Sequence, residues 1–357
     1  MDIWPLPQKP RGELTKKPID WKVFLSNDEN KKQFVQVILK VWSANEFAPQ
    51  LQTRNVIAIS EGHAFLLQTD DGQITKRTEI GPLFSTQEET DTRVILYCKY
   101  AQDQGYEYAR IRTPDSDILF ILLHYVASFN ITILFDTGSG NNKRLINVTE
   151  LAEGLTPEYC TALLALHAFT HCDTTSAFKG IGKVKPIQVL QKLPKFKPIL
   201  AELGHEWEIT EELFVGLEEF TCAIYGRPRF KSVDKLRFSL IKEKCGDDDR
   251  LHLGRNVDLA TLPPCQGVLQ QHIRRVNYQV AIWRQAHIAV IDVPSPTDGH
   301  GWTLKSGHLE PLWVDGPILP EVVADEVEGL DSSDSEDEQS DDQESPIVSD
   351  DSEDDEY

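Results

Sequence analysis

What this chain of 357 residues lacks narrows the field before any motif is read. It has no run of 18 apolar residues, which excludes a helix that spans a bilayer. Its first residues, MDIWPLPQKPRGEL, contain no apolar stretch of the kind that directs secretion. Cysteine is sparse: the residues at 98, 160, 172, 222, 245 and 265 are scattered and form no C-x-x-C pair. That argues against a zinc module or a disulfide framework and for reduced thiols of an intracellular protein. Basic residues stop before the end. Of the net charge of −21, residues 321–357 contribute −18 with no Lys or Arg, and the first 320 residues the remaining −3. The tail cannot bury anything and is expected to be disordered, whereas the body is nearly neutral. There is no internal repeat.

What is present reads as alternating elements. FVQVILKVW (34–42) has helical spacing, and NVIAIS (55–60) and HAFLLQT (63–69) read as strands broken at Glu61-Gly62, with Asp70-Asp71-Gly72 suited to a second hairpin turn. From residue 85 the pattern changes. Ser85 and Thr86 with Glu88 and Glu89 resemble a capping box for a helix running to Gln104. YARIRT (108–113) is a strand, DILFILLHYVASF (117–129) a buried helix, ITILF (131–135) a second strand and RLINV a third. This spacing predicts a βαβ sheet, mainly parallel. Pro157 opens the next helix, and helices are expected at 183–193, 210–225, 232–244 and 266–286, with arginines of the last snorkelling to solvent. Residues 301–316 read as a closing hairpin.

Three stretches carry chemistry. Asp115 and Asp117 follow a strand directly, where functional groups of open α/β sheets collect, and two crowded carboxylates suit a divalent cation with oxygen ligands. Asp at such a place is also a common helix cap. Glu89 and Asp91 begin the preceding helix, where acids are ordinary dipole partners. On a regular helix they would point about 200° apart, so both can face one site only if Glu89 lies in a distorted first turn. The third stretch, HAFTHCDTTSAFKGIGKVKPIQVLQK (167–192), holds Asp173 and then Gly180, Gly182 and Lys183 ahead of an apolar helix. Between residues 174 and 201 lie six lysines, including Lys179, Lys183 and Lys185, and no acid, a local footprint for a phosphate backbone.

Taken in order, these stretches resemble the flap endonuclease family of structure-specific 5′ nucleases, within the PIN-like superfamily. There the motifs run E-A-E-A, D-x-D after a strand, and G-C-D-Y leading into R-G-I-G. The phrase H-A-F-T-x-C-D-T-T-S-A-F is also similar to a broad group of animal proteins, some derived from mobile elements. The resemblance covers residues 85–195 most closely. It implies a three-layer α/β/α core with a mainly parallel sheet, then a helix–hairpin–helix and a helical C-terminal extension. The corresponding organisation is an N-terminal extension (1–54), a PIN-like core (55–165), a hairpin region (166–226), a helical extension (227–320) and an acidic tail (321–357). It implies Mg²⁺ or Mn²⁺ held by Glu89, Asp91, Asp115, Asp117 and Asp173, which would hydrolyse phosphodiesters with two metals. Lys179, Gly180, Gly182, Lys183 and Lys185 would grip DNA or RNA by shape rather than sequence.

The departures are specific. The family's first strand ends in a metal-binding Asp; here Asp2 and Asp20 lie in other surroundings, and NVIAIS ends in Ser60-Glu61. The glycine before Cys-Asp is His171, and Thr90 stands between the two acids of the first motif. Two functions therefore stand side by side: a metal-dependent nuclease with an incomplete carboxylate set, or a catalytically dead scaffold binding nucleic acid or protein. A nuclear location fits either. The tail, with Ser333, Ser335 and Ser352 each followed three residues on by an acid, suits protein partners, phosphorylation and competition with nucleic acid for the lysines.

Overall fold

The computed structural model describes residues 19–70, 72–245 and 258–315, and residues up to Trp313 form one compact unit. The expectations for the acidic tail and its serines lie outside the described residues. Helices α1 (Trp21–Leu25) and α2 (Asp28–Trp42) come first. Asp20 caps α1 by accepting from the amides of Lys22 and Val23, an ordinary capping role far from metal ligation. After α3 (Ala48–Leu51), β1 (Val56–Ser60), β2 (His63–Asp70) and β3 (Ile74–Glu79) make an antiparallel meander. Its first turn is Glu61-Gly62, both with positive φ, as a two-residue hairpin requires. Gly62 is required for a second reason, because a Cβ there would lie 2.6 Å from the Ser85 carbonyl oxygen. A small core of Leu39, Leu51 and Leu67 seats α2 and α3 on this sheet.

The larger part begins with α4 (Thr90–Asp103), β4 (Tyr108–Arg112), α5 (Ser116–Tyr125), β5 (Thr132–Thr137), β6 (Arg144–Asn147), α6 (Val148–Glu153) and α7 (Pro157–Thr170). The sheet order is β4-β5-β6, with β4 parallel to β5 and β6 antiparallel to it. The mixed α/β class is as expected, but among the described residues parallel pairing is confined to β4 and β5. The reason is the link: residues 138–143 are too few for a crossover, and a short turn-rich connection can only reverse the chain. Helix α4 also starts later than the capping box implied. The Ser85 hydroxyl accepts from the Gln87 amide and that of Thr86 from the Ile291 amide, so both serve an extended lead-in rather than the helix.

Helices α8 (Val184–Lys192), α9 (Phe196–Glu202), α10 (Glu211–Ile224), α11 (Val233–Cys245) and α12 (Gln266–Trp283) follow, then the hairpin β7 (Trp302–Lys305) and β8 (His308–Pro311). Helix α9 was not anticipated; it is short and contains Pro198, so it shows no helical period. One hydrophobic core runs continuously from Ile95 to Ala286, crossing the expected boundaries after 165 and 226. Helix α7 is buried on nearly every side at its centre, in keeping with its apolar composition all round. Helix α12 is a core helix too. Arg275 is 2% exposed rather than snorkelling, and its guanidinium donates to the carbonyls of Gly301 at 3.0 Å and Leu312 at 2.7 Å. The segment around the closing hairpin covers that face of α12, with Gly301 so close that a Cβ would meet the Gln271 carbonyl oxygen at 2.6 Å. No helix among the described residues is long and apolar enough to cross a membrane.

Candidate functional site

Helices α4 and α5 both begin at one cleft, and each brings a carboxylate in its first turn. Asp91, Asp115 and Asp117 each offer an oxygen, and the three lie within 4.8 Å of one another. Asp115 is the N-cap of α5, accepting from the Asp117 amide at 2.8 Å, so the capping reading and the cluster hold for the same residue. Asp117 is buried. The helix N-termini supply partial positive charge to this cleft, but no Lys or Arg among the described residues forms an ion pair with any of the three. Burial first, then the charges of Asp115, Asp117 and Asp173, push the Asp91 carboxyl up to about 6.

Glu89 and Asp173 stand beside this trio. Glu89 is the N-cap residue of α4 in extended conformation, yet its side chain caps nothing. Being outside the helix frees it from the helical angle that would have turned it away from Asp91. Burial and the nearby Asp91 raise its pKa, while donors on Gln279 and Trp283 oppose the rise. Gln279 Nε2 donates to Glu89 Oε2 at 3.4 Å, and the Thr174 hydroxyl donates to Gln279 Oε1 at 2.8 Å, so the loop carrying Asp173 is tied through α12 to Glu89. Asp173 is exposed and close enough to repel Asp91. Glu61 takes no part; its carboxylate accepts from Gln36 Nε2 at 3.3 Å. Asp136, at the end of β5, is a contrasting acid. Arg110 and Arg112 hold its carboxyl below the usual range, so it is already neutralised.

Three residues that the sequence did not single out support the cleft. His167, on α7 and 1% exposed, contacts Asp117 Oδ1 through Nε2 at 2.7 Å and stacks on Phe120 at 4.1 Å between ring centroids. Burial lowers its pKa, so the ring is neutral and Nε2 carries the proton it donates to Asp117. Its Nδ1 has no partner, which is tolerable for an acceptor in an apolar setting. Gln279 and Trp283 are the others. Both belong to an amphipathic helix pattern, which does not say what they face.

The hairpin is arranged differently from its sequence. Gly180 has φ +76, which glycine enters freely, and a Cβ at Gly180 or Gly182 would meet nothing within 4 Å. Lys183 turns inward. Its ammonium donates to the carbonyls of His171 at 2.7 Å and His167 at 3.2 Å, closing the C-terminus of α7, and burial lowers its pKa. Lys179 pairs with Asp258 at 2.7 Å and Lys195 with Glu219 at 3.0 Å. The acid-free window of sequence is thus partly neutralised by acids from distant segments, and Lys185 is left exposed.

His171 adopts φ +153 and ψ 129, a region that L-residues rarely enter. The resemblance places glycine at this position. Here the Lys183 ammonium and a contact from His171 Nδ1 to the Thr175 carbonyl at 3.1 Å hold the histidine.

An all-oxygen set of crowded carboxylates, held by no direct Lys or Arg ion pair among the described residues, fits a hard divalent cation and offers nothing to a soft one. Comparison with known family models, curated proteins and solved structures finds no match to this chain.

Proposed function

We propose that the chain binds nucleic acid by backbone shape and hydrolyses phosphodiester bonds with Mg²⁺ or Mn²⁺, as a PIN-like, flap-endonuclease-related protein. The observation that carries this reading is the convergence of Asp91, Asp115 and Asp117 within 4.8 Å, with no Lys or Arg among the described residues in ion-pair contact and only the Lys183 charge, at longer range, acting on Asp117. Such crowding costs free energy unless a cation or proton relieves it. The three carboxylates would hold the ion, and Glu89 and Asp173 flank the place where a second could sit. The metal supplies charge for the phosphoryl oxygens and a more acidic water. His167 fixes the Asp117 carboxylate by occupying one of its oxygens. The open turn at Gly180 to Gly182 and the first turn of α8, whose N-cap Lys183 makes no side-chain cap, offer amides to a phosphate.

A second reading, a scaffold that binds without cutting, is favoured by one observation: only three of the five expected carboxylates form the tight cluster. Incubation of the purified chain with 5′-flap DNA and Mn²⁺, against Asp115→Ala/Asp117→Ala, decides between them. The nuclease reading expects cleavage that the double variant loses while its binding is kept. Binding without cleavage in either metal leaves the scaffold, and absence of both rejects the nucleic-acid reading.

A further inference from the structure

Beside the carboxylate cleft lies a cavity of about 680 Å³, of a size typical for small-ligand sites. Glu89 and Thr174 line it, so it borders residues beside the carboxylate cluster. Its walls come from α12 and from the segment between α12 and the closing hairpin. Tyr278 and Trp302 contribute aromatic surface. The Tyr278 hydroxyl is tied to the Pro294 carbonyl at 2.9 Å, which fixes the ring. Two nearly fully buried side chains in the lining keep polar atoms with no partner: Oε1 of Gln87, and Nε and Nη2 of Arg275. Those atoms are sealed from solvent, and Arg275 also borders the neighbouring cavity beside Trp313, so the accessible polar groups of this lining are those of Thr86, Glu88, Glu89 and Asp292.

Charge selects the occupant. The exposed acids Glu88 and Asp292 line the cavity, and with Glu89 they disfavour an anion inside it, including a phosphate or an acidic segment. A planar, uncharged group with N–H donors suits this lining, since carboxylates accept from the exocyclic amines of nucleobases and aromatic rings stack on their faces. We propose that the cavity receives one unpaired nucleobase of the strand whose phosphate lies at the carboxylate cluster, with the bases that carry an exocyclic amine (adenine, cytosine and guanine) preferred over thymine. This rests on the nucleic-acid reading above and names the part of the substrate that reading leaves unassigned.

The test is an abasic scan. Single-stranded oligonucleotides carrying one abasic position, stepped along the strand, are titrated against the full chain in Ca²⁺ at low salt. Loss of one stacked base is expected to weaken binding about 5- to 100-fold at a single position and little elsewhere. Trp302→Leu, which keeps apolar volume, should remove that dependence while leaving the abasic oligonucleotide bound as before. Glu88→Ala/Asp292→Ala changes only exposed acids and should level the preference over thymine. If the intact oligonucleotide binds but no position is sensitive, the base pocket is overturned and backbone binding stands. Equal weakening of intact and abasic strands by Trp302→Leu also overturns it. If no oligonucleotide binds at all, the nucleic-acid reading itself fails.

Discussion

The carboxylates of the cleft and the lysines of the hairpin behave in opposite ways. Asp91 and the Asp115–Asp117 pair belong to different helices with a strand between them, yet their oxygens meet within 4.8 Å. Lys179, Lys183 and Lys185 are close neighbours in sequence, yet they part: one to Asp258, one to the end of α7, one to solvent. Proximity in sequence therefore misjudges both groups. Carboxylates converge because α4 and α5 both start beside the C-terminal end of β4. Lysines disperse because each finds a separate partner, and long flexible side chains allow it.

The largest expected effect tests how the acidic cleft is held. His167→Gln should weaken Mn²⁺ binding, measured by calorimetry, by about 10- to 100-fold, the usual cost of losing a residue that orients a metal ligand. His167→Phe, which keeps the ring but not the bond to Asp117, should lose as much. Wild-type affinity in both variants would make His167 a core residue and nothing more.

Next is the protonation of Asp91. Its folded pKa of about 6 lies above the 3.8 of an ordinary Asp, so the metal-free folded chain holds this proton more tightly than the unfolded chain does. The stabilisation is present below about pH 4 and is lost as pH rises through about 6. Asp91→Asn should therefore raise the metal-free melting temperature at pH 7 and leave it unchanged at pH 4. Protons should also compete with Mn²⁺, so affinity falls below pH 6. A difference between variant and wild type that does not change with pH would mean that the cleft is relieved by something other than Asp91.

The lysines should show the dispersal directly. Lys185→Ala is expected to flatten the dependence of log K on log salt by about 1 and Lys179→Ala, whose ammonium is paired with Asp258, by less, while Lys183→Met leaves the slope intact and lowers stability by about 1 kcal/mol through the uncapped end of α7. A slope that changes with Lys183 would put its ammonium on the nucleic acid after all. The smallest effect is at His171, where glycine should relieve the φ of +153 and stabilise the chain by up to about 1 kcal/mol in denaturant melts. Destabilisation by His171→Gly would show that the histidine's own contacts outweigh the strain.

Much of the secondary structure was legible because it is written in local terms. The period of α2, the Glu61-Gly62 turn, Pro157 at the start of α7, the apolar run of α5 and the amphipathic pattern of α12 all point to the elements found. The start of α4 was misread because Ser85 and Thr86 look like caps in sequence, and only the fold shows their hydroxyls given to Gln87 and Ile291. The D-x-D pair was visible as chemistry, but that Asp91 from α4 meets it is decided by the packing of α4 against α5, and that Glu89 lies beside them depends on its place outside the helix.

By itself the sequence determined which residues are apolar, where the turns fall and where carboxylates lie at the ends of elements, because propensity and hydrophobic period are properties of short windows. Only the tertiary structure decided that three of those carboxylates share a cleft, that β6 runs back along β5, that His167 fastens Asp117, and that the lysine hairpin is partly neutralised by Asp258 and Glu219. Each of these depends on residues brought together from distant parts of the chain. Burial then sets their energies, because a charge removed from water is governed by whatever neighbours the fold supplies.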